Sequence, residues 1–188
     1  MNLTIILSSV RENRLAEKVL KRVHELINED IFQITIVDPM KYDLPLLNKR
    51  YFEMENPEGK FRELHDIFFK TDGFILITGE YNHGIPPALK NILDHFLYEY
   101  KYKACGIVSY SIGVYGGARA AEQLRLVCSE LGMPPIPIAP AWSFAHKSNE
   151  PEGKLFLDSF EKKIKIFIKQ LEWYTQAFIM QRKISDNI

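Results

Sequence analysis

The chain has 188 residues, 46% of them hydrophobic, with 24 basic and 24 acidic residues and a formal net charge of zero. That length and apolar content fit one domain with a buried core, and neutrality removes any whole-molecule electrostatic case for nucleic acid or an anionic membrane as partner. Two cysteines, Cys105 and Cys128, are too few for a disulfide scaffold or a thiolate-ligated cluster.

Leu3 to Leu7 is a short apolar run that ends at Ser8-Ser9 and reads as a strand. No basic segment precedes it, and the run is too short for a signal peptide or a membrane span, so the expected compartment is the reducing cytoplasm. A helix is expected from about Asn13 to Asn28, where Leu15, Ala16, Val19, Val23 and Ile27 share one face. Phe32, Ile34 and Ile36 then alternate with Gln33 and Thr35, the pattern of a strand with one wetter face, as at a sheet edge. Asp38 to Pro57 carries three prolines and little periodicity, and reads as a long connection of the kind that is often functional.

Glu58 to Lys70 is expected to be a helix with Phe61, Leu64, Ile67 and Phe68 inward. Phe74 to Thr78 reads as a buried strand, and a polar loop from Glu80 to Gly84 follows it. Pro86 and Pro87 then open a helix, where an early proline loses no intrahelical bond, with Leu89, Ile92, Leu93, Phe96 and Leu97 at helical spacing. Ala104 to Tyr110 is another apolar run, followed by the loop Ser111–Gly117 and a helix from Ala118 that Gly132 should stop. Pro134 to Ile138 is expected to pair only as an edge strand, because each proline lacks a ladder donor. A final helix is expected from Glu152 to about Gln181, with Phe160, Ile164, Phe167 and Leu171 on its core face and Lys162 to Lys169 in solvent.

Five strands alternating with five helices make an α/β domain, here one domain over residues 1–188. The second strand and the fifth, the two weakest, both call for an edge. The order 2-1-3-4-5 supplies both, in a three-layer sandwich around a five-stranded parallel sheet. Ligands in such sheets bind at the topological switch point, between strands 1 and 3. The loops Ser8–Arg14 and Gly79–Gly84 should face each other there, with Ser111–Gly117 beside them.

The first loop places Ser8, Ser9, Arg11 and Arg14 at a helix start, where free amides and the dipole favour anions and guanidinium forks match phosphate oxygens. It reads equally as a capped helix with two solvated arginines. No glycine occurs between Met1 and Gly59 and no Gly-Lys-Ser/Thr is present, so a monophosphate suits this turn better than a pyrophosphate. FMN meets that requirement. In the second loop, Asn82 and the loop amides suit the polar edge of an isoalloxazine and Tyr81 its face, although the same residues also suit a hydrogen-bonded turn. In the third loop, Gly113, Gly116 and Gly117 permit either close approach to a ring or a tight turn before a helix.

Together the three stretches resemble the NADPH-dependent FMN reductase family, which includes bacterial quinone, azo-dye and chromate reductases. Ser8-Ser9-Val10-Arg11-Glu12-Asn13-Arg14 is similar to the family's Gly-Ser-x-Arg-x-x-Arg/Ser pattern after strand 1. Glu80-Tyr81-Asn82, with Pro86 to Asp94, is similar to its Pro-Glu-Tyr-Asn and Pro-x-x-Leu-Lys-Asn-x-x-Asp patterns. Ser111 to Arg119 matches Ser-x-Gly-x-x-Gly-Gly-Ala-Arg. The likeness implies a flavodoxin-like fold in which Ser9, Arg11 and Arg14 hold the FMN phosphate. It implies that Glu80, Tyr81 and Asn82 line the isoalloxazine, and that Ser111, with Gly113, Gly116 and Gly117 behind it, closes the other side. Two positions depart from the pattern: Ser8 stands where the family usually has glycine, and Gly79 where it usually has proline.

The activity implied is hydride transfer from NADPH, as co-substrate, through bound FMN to a small-molecule electron acceptor: flavin, quinone, azo compound or metal oxyanion. The cofactor carries that chemistry, so no protein acid, base, nucleophile or metal ligand is nominated, and His83 is read as a cap or surface group. Two other readings stand: a non-enzymatic FMN carrier of flavodoxin type, and a binding module without the cofactor. Family members commonly form homodimers or homotetramers through the helix after the Tyr-Asn loop. Phe96, Tyr98, Tyr100 and Tyr102, more aromatic surface than one face can bury, support assembly of that kind. Trp173 is expected in the core.

Overall fold

The computed structural model describes residues 1–185. Its sheet is parallel throughout, with strands β1 (Asn2–Leu7), β2 (Gln33–Val37), β3 (Gly73–Thr78), β4 (Ala104–Tyr110) and β5 (Ala141–Trp142) in the order β2-β1-β3-β4-β5. This is the flavodoxin-like order that the two weak strands required. Helices α1 (Ala16–His24) and α6 (Pro151–Ile184) pack on one face, where Val19, Val23, Phe160, Ile164 and Phe167 meet Ile5, Ile75 and Val108. On the other face α3 (Gly59–Lys70), α4 (Pro87–His95) and α5 (Ala118–Glu130) bring Leu64, Phe68, Leu89, Leu93 and Leu124 against Ile6, Leu76 and Ile107. Each such side chain removed from water contributes about 2 kcal/mol, and β3 and β4, buried along their whole length, carry the near-continuous apolar runs of a doubly covered parallel sheet.

Three elements differ from expectation. Helix α1 is shorter than Asn13–Asn28, because Asn13 sits at φ +52°, in a left-handed conformation that a right-handed helix cannot include. At its other end Leu26 and Ile27 form i→i−3 bonds to Val23 and His24, the tightening that often closes a last turn. The long connection holds a one-turn helix α2 (Pro39–Tyr42), whose cap is Asp38: its carboxylate accepts from the Met40 amide at 3.0 Å.

The fifth strand is Ala141–Trp142 and not the proline segment 134–138. That segment lies along β4 but makes only an isolated bridge, Cys105 to Pro135, with Cys105 donating to the Pro134 carbonyl and Ile136 donating to that of Cys105. A ladder fails because residues 134, 135 and 137 have no N–H to give. Arg125 holds the segment instead, through the carbonyls of Ile136 (3.1 Å) and Pro137 (2.8 Å).

Trp173 is 65% exposed, against the expectation of a core residue. It lies two positions from each of the buried Leu171 and Thr175, hence on the opposite side of the helix. The aromatics after α4 divide: Phe96 and Tyr100 are buried, and Tyr98 and Tyr102 are exposed. Gly132 stops α5 as expected. At φ +73° it sits in a Schellman turn, with Met133 donating to Cys128 and Gly132 to Ser129.

Candidate functional site

The loops after β1, β3 and β4 converge at the switch point on a cavity of about 400 Å³. Its wall includes Ser9, Arg11 and Arg14 from the first loop, Gly79, Glu80 and Tyr81 from the second, Tyr110 from the end of β4, and Ser111 and Ile112 from the third loop. His146, from the 3-10 turn Ala145–Lys147 after β5, completes it. Six of the ten residues singled out in the sequence therefore share one wall: Ser9, Arg11, Arg14, Glu80, Tyr81 and Ser111. Asn82, Gly113, Gly116 and Gly117 stand outside it.

The two arginines of the first loop do different things. Arg14 is nearly buried, its side chain 5% exposed, and its fork grips both oxygens of Asp38 at 2.7 and 2.5 Å while donating to the Ser9 carbonyl. The carboxylate beside it raises the Arg14 guanidinium against the opposing effect of burial. On Asp38 burial acts to raise the carboxyl, but Arg14 and the Met40 amide outweigh it and hold the group below its ordinary value. Arg14 is therefore a neutralised clasp between the first loop and the cap of α2. Arg11 is exposed, lies over the Tyr81 ring at 5.8 Å, and makes no ion pair among the described residues. Helix α1 begins after Leu15 with no side-chain cap, which leaves the amides of its first turn for another acceptor.

In the second loop, Tyr81 to Gly84 is a tight turn closed by reciprocal backbone bonds at 3.1 and 2.9 Å. Asn82 and His83 at its tip both have positive φ, +49° and +67°, the geometry of a type I′ turn, which asparagine tolerates. Both tip residues are exposed. Tyr81 reaches back to the first loop, its hydroxyl 2.5 Å from the Ser9 hydroxyl. Glu80, 11% exposed in its side chain, accepts from the amides of Arg119 (3.1 Å) and Ala120 (3.4 Å) and so caps α5. The Lys-Asn-x-x-Asp motif of α4 is likewise structural: Lys90 pairs with Asp94, and Asn91 clamps the backbone of Leu44, Pro45 and Leu47.

In the third loop, Gly117 has φ +82°, and a Cβ there would lie 2.8 Å from the Tyr110 carbonyl oxygen; one on Gly116 would meet the backbone of Trp142 and Ser143 at 3.0 Å. These two glycines serve the turn into α5, where the sequence allowed either a turn or a ring contact. Ser111 exchanges hydrogen bonds with the backbone of Gly113 at 3.2 Å.

The two departures from the family pattern touch each other. The Gly79 amide donates to the Ser8 hydroxyl at 2.9 Å, with both residues buried. Proline at 79 would have no proton for that bond, and glycine at 8 no oxygen. Tyr110 and His146 were missed in the sequence. Tyr110 had a usable signal, as a phenol closing a buried strand at the sheet's ligand-binding edge; His146 had none, being brought in from beyond β5.

A monophosphate and a flat ring fit this wall. Arg11, which makes no ion pair among the described residues, and the uncapped start of α1 suit the phosphate, and the Tyr81 ring beneath Arg11 suits the flat ring. Among the described residues no group of three or more His, Cys, Asp or Glu could hold a metal ion.

Comparison with known proteins agrees with the geometry. The chain is 32% identical over 146 residues to an NAD(P)H-dependent FMN reductase of Schizosaccharomyces pombe, covering 73% of this chain and 70% of that one. It is 28% identical over 180 residues to a quinone reductase of Pseudomonas putida, covering 89% and 95%. Among solved structures, the flavoenzyme NAD(P)H:(acceptor) oxidoreductase FerB of Paracoccus denitrificans superposes with a TM-score of 0.75 at 22% identity, over 92% of this chain and 98% of that one. A flavodoxin variant of Pseudomonas aeruginosa shares the fold at a TM-score of 0.54 and 18% identity, over 88% and 99%. The model of the family "NADPH-dependent FMN reductase" matches residues 1–147, a span that holds all three loops, and the chain belongs to that family of FMN- and NAD(P)H-dependent oxidoreductases.

Proposed function

We propose that this chain binds FMN in the three-loop cavity and reduces a small diffusible acceptor, a quinone or a flavin, at the expense of NAD(P)H. The observation that supports this most is the convergence of the three motif loops on one wall at the switch point, with Arg11 as a cation that has no ion pair among the described residues. Ser9, Arg11 and the first-turn amides of α1 bind the phosphate. Arg14 fixes the loop that presents them. Tyr81 covers the ring system and, through Ser9, ties the ring end of the site to the phosphate end. Glu80 positions the start of α5 beside the site, and Ser111 with Gly113 sets the opposite rim. When bound, FMN supplies hydride acceptance from the nicotinamide and delivery of electrons to the second substrate.

The chain acts in the cytoplasm as a homodimer or homotetramer. Tyr98, 58% exposed, packs on the half-exposed Phe52 beside α4, an aromatic patch suited to burial by a second copy. Among the described residues no helix is long and apolar enough to cross a membrane.

Oxidation of NADPH and NADH by FMN-loaded protein, measured against quinone, flavin and azo acceptors, tests the reading. Robust turnover with at least one acceptor is the expected result. Protein that holds FMN but consumes neither nicotinamide would be a carrier instead. Sedimentation at micromolar concentration tests the assembly, and a single monomeric species would overturn it.

A further inference from the structure

We propose that the Tyr110 hydroxyl is a hydrogen-bond donor to the occupant of the cavity, given room by Gly79. The inference rests on the FMN reading above and adds a ligand-contacting residue that none of the three motifs supplies. The Gly79 amide is committed to the Ser8 hydroxyl and is not free for a ligand. Tyr110 is only 6% exposed, and the surface it keeps is on the cavity wall beside Gly79.

Burial pushes the phenol up to about 12, against the smaller opposing effect of the serine hydroxyl, so it remains a neutral O–H, able to donate, at every physiological pH. A Cβ on residue 79 would lie 3.2 Å from both Cζ and Oη of the tyrosine, tighter than ordinary van der Waals contact. The missing side chain at 79 is what lets the phenol lie where it does. A neutral phenol can donate to an acceptor on the occupant, a carbonyl oxygen or an unprotonated ring nitrogen, and an oxidised isoalloxazine offers both.

The test is a titration of wild-type protein, Tyr110→Phe, Gly79→Ala and Arg11→Ala with FMN and with riboflavin, which lacks the phosphate, following flavin fluorescence. Tyr110→Phe should weaken both ligands by the same factor, about 10-fold. Gly79→Ala keeps the phenol but crowds it, and should weaken both by a common factor. Arg11→Ala should weaken FMN alone. Unchanged affinity of Tyr110→Phe for riboflavin would overturn the assignment; if that variant does not fold, unchanged riboflavin affinity of Gly79→Ala does so. Wild-type protein that binds neither flavin would overturn the FMN reading itself, a distinct result.

Discussion

The loop after β1 and the loop after β3 meet at one cavity yet commit their polar side chains differently. In the first, one arginine is locked into Asp38 and another, three residues earlier, has no carboxylate partner among the described residues. In the second, the carboxylate of Glu80 caps a helix and Asn82 bends a turn, so the residues that stand out most in the sequence hold the loop together. The first loop thus separates scaffold from contact residue by residue. The second presents its occupant mainly with one aromatic ring and the strand-end groups behind it. A motif therefore records what keeps a loop in shape as well as what touches a ligand.

The comparison can be broken most forcefully at Arg14. Arg14→Met leaves the Asp38 carboxylate nearly buried and unpaired, and we expect a loss of about 3–5 kcal/mol of folding stability in chemical denaturation. Arg11→Ala should stay within about 0.5 kcal/mol of wild type in the same assay. Equal losses from the two variants would erase the distinction.

The same clasp has a pH signature. Asp38 is held below its ordinary value in the folded state, so its contribution is fully present above the unfolded carboxyl's pKa of about 3.9 and fades as pH falls through the lower folded value. Acid unfolding of wild type should steepen below about pH 4, and that of Asp38→Asn should not. On the ligand side, Arg11→Ala should weaken FMN about 10- to 100-fold, the range of a charge-assisted contact, and a loss that shrank with added salt in wild type would mark the contact as ionic.

Smaller effects probe the second loop. Glu80→Gln should cost about 1 kcal/mol in thermal or denaturant unfolding, as a weakened helix cap does, and leave riboflavin affinity unchanged. Asn82→Gly should change stability by less than about 0.5 kcal/mol, since glycine adopts the same positive φ without strain. A large loss of riboflavin affinity in Asn82→Gly would show that its amide contacts the ring after all.

The architecture was legible in the sequence because sheet order follows from local properties. The alternation in 32–36 and the fully apolar 74–78 and 104–110 each reveal how many faces of a strand are covered. The meeting of the three loops at one cavity was legible for the same reason. The work done by each side chain was not, because it depends on partners remote in the chain: Asp38 lies 24 residues from Arg14, and the amide of Arg119 lies 39 from Glu80. The fifth strand was misplaced because apolar side chains in 136–138 suggested pairing that the prolines around them cannot make.

That proline segment matters for how the molecule meets its neighbours in a crowded solution. An open sheet edge is a template on which another chain can add a strand. Along the outer side of β4, most of that edge is covered by residues 134–140, four of them prolines, and only Ala141–Trp142 form a regular strand. The covering segment offers few amide protons of its own, so an incoming strand finds little to pair with. The segment that is too poor in donors to extend the sheet is, for that reason, a guard against its growth.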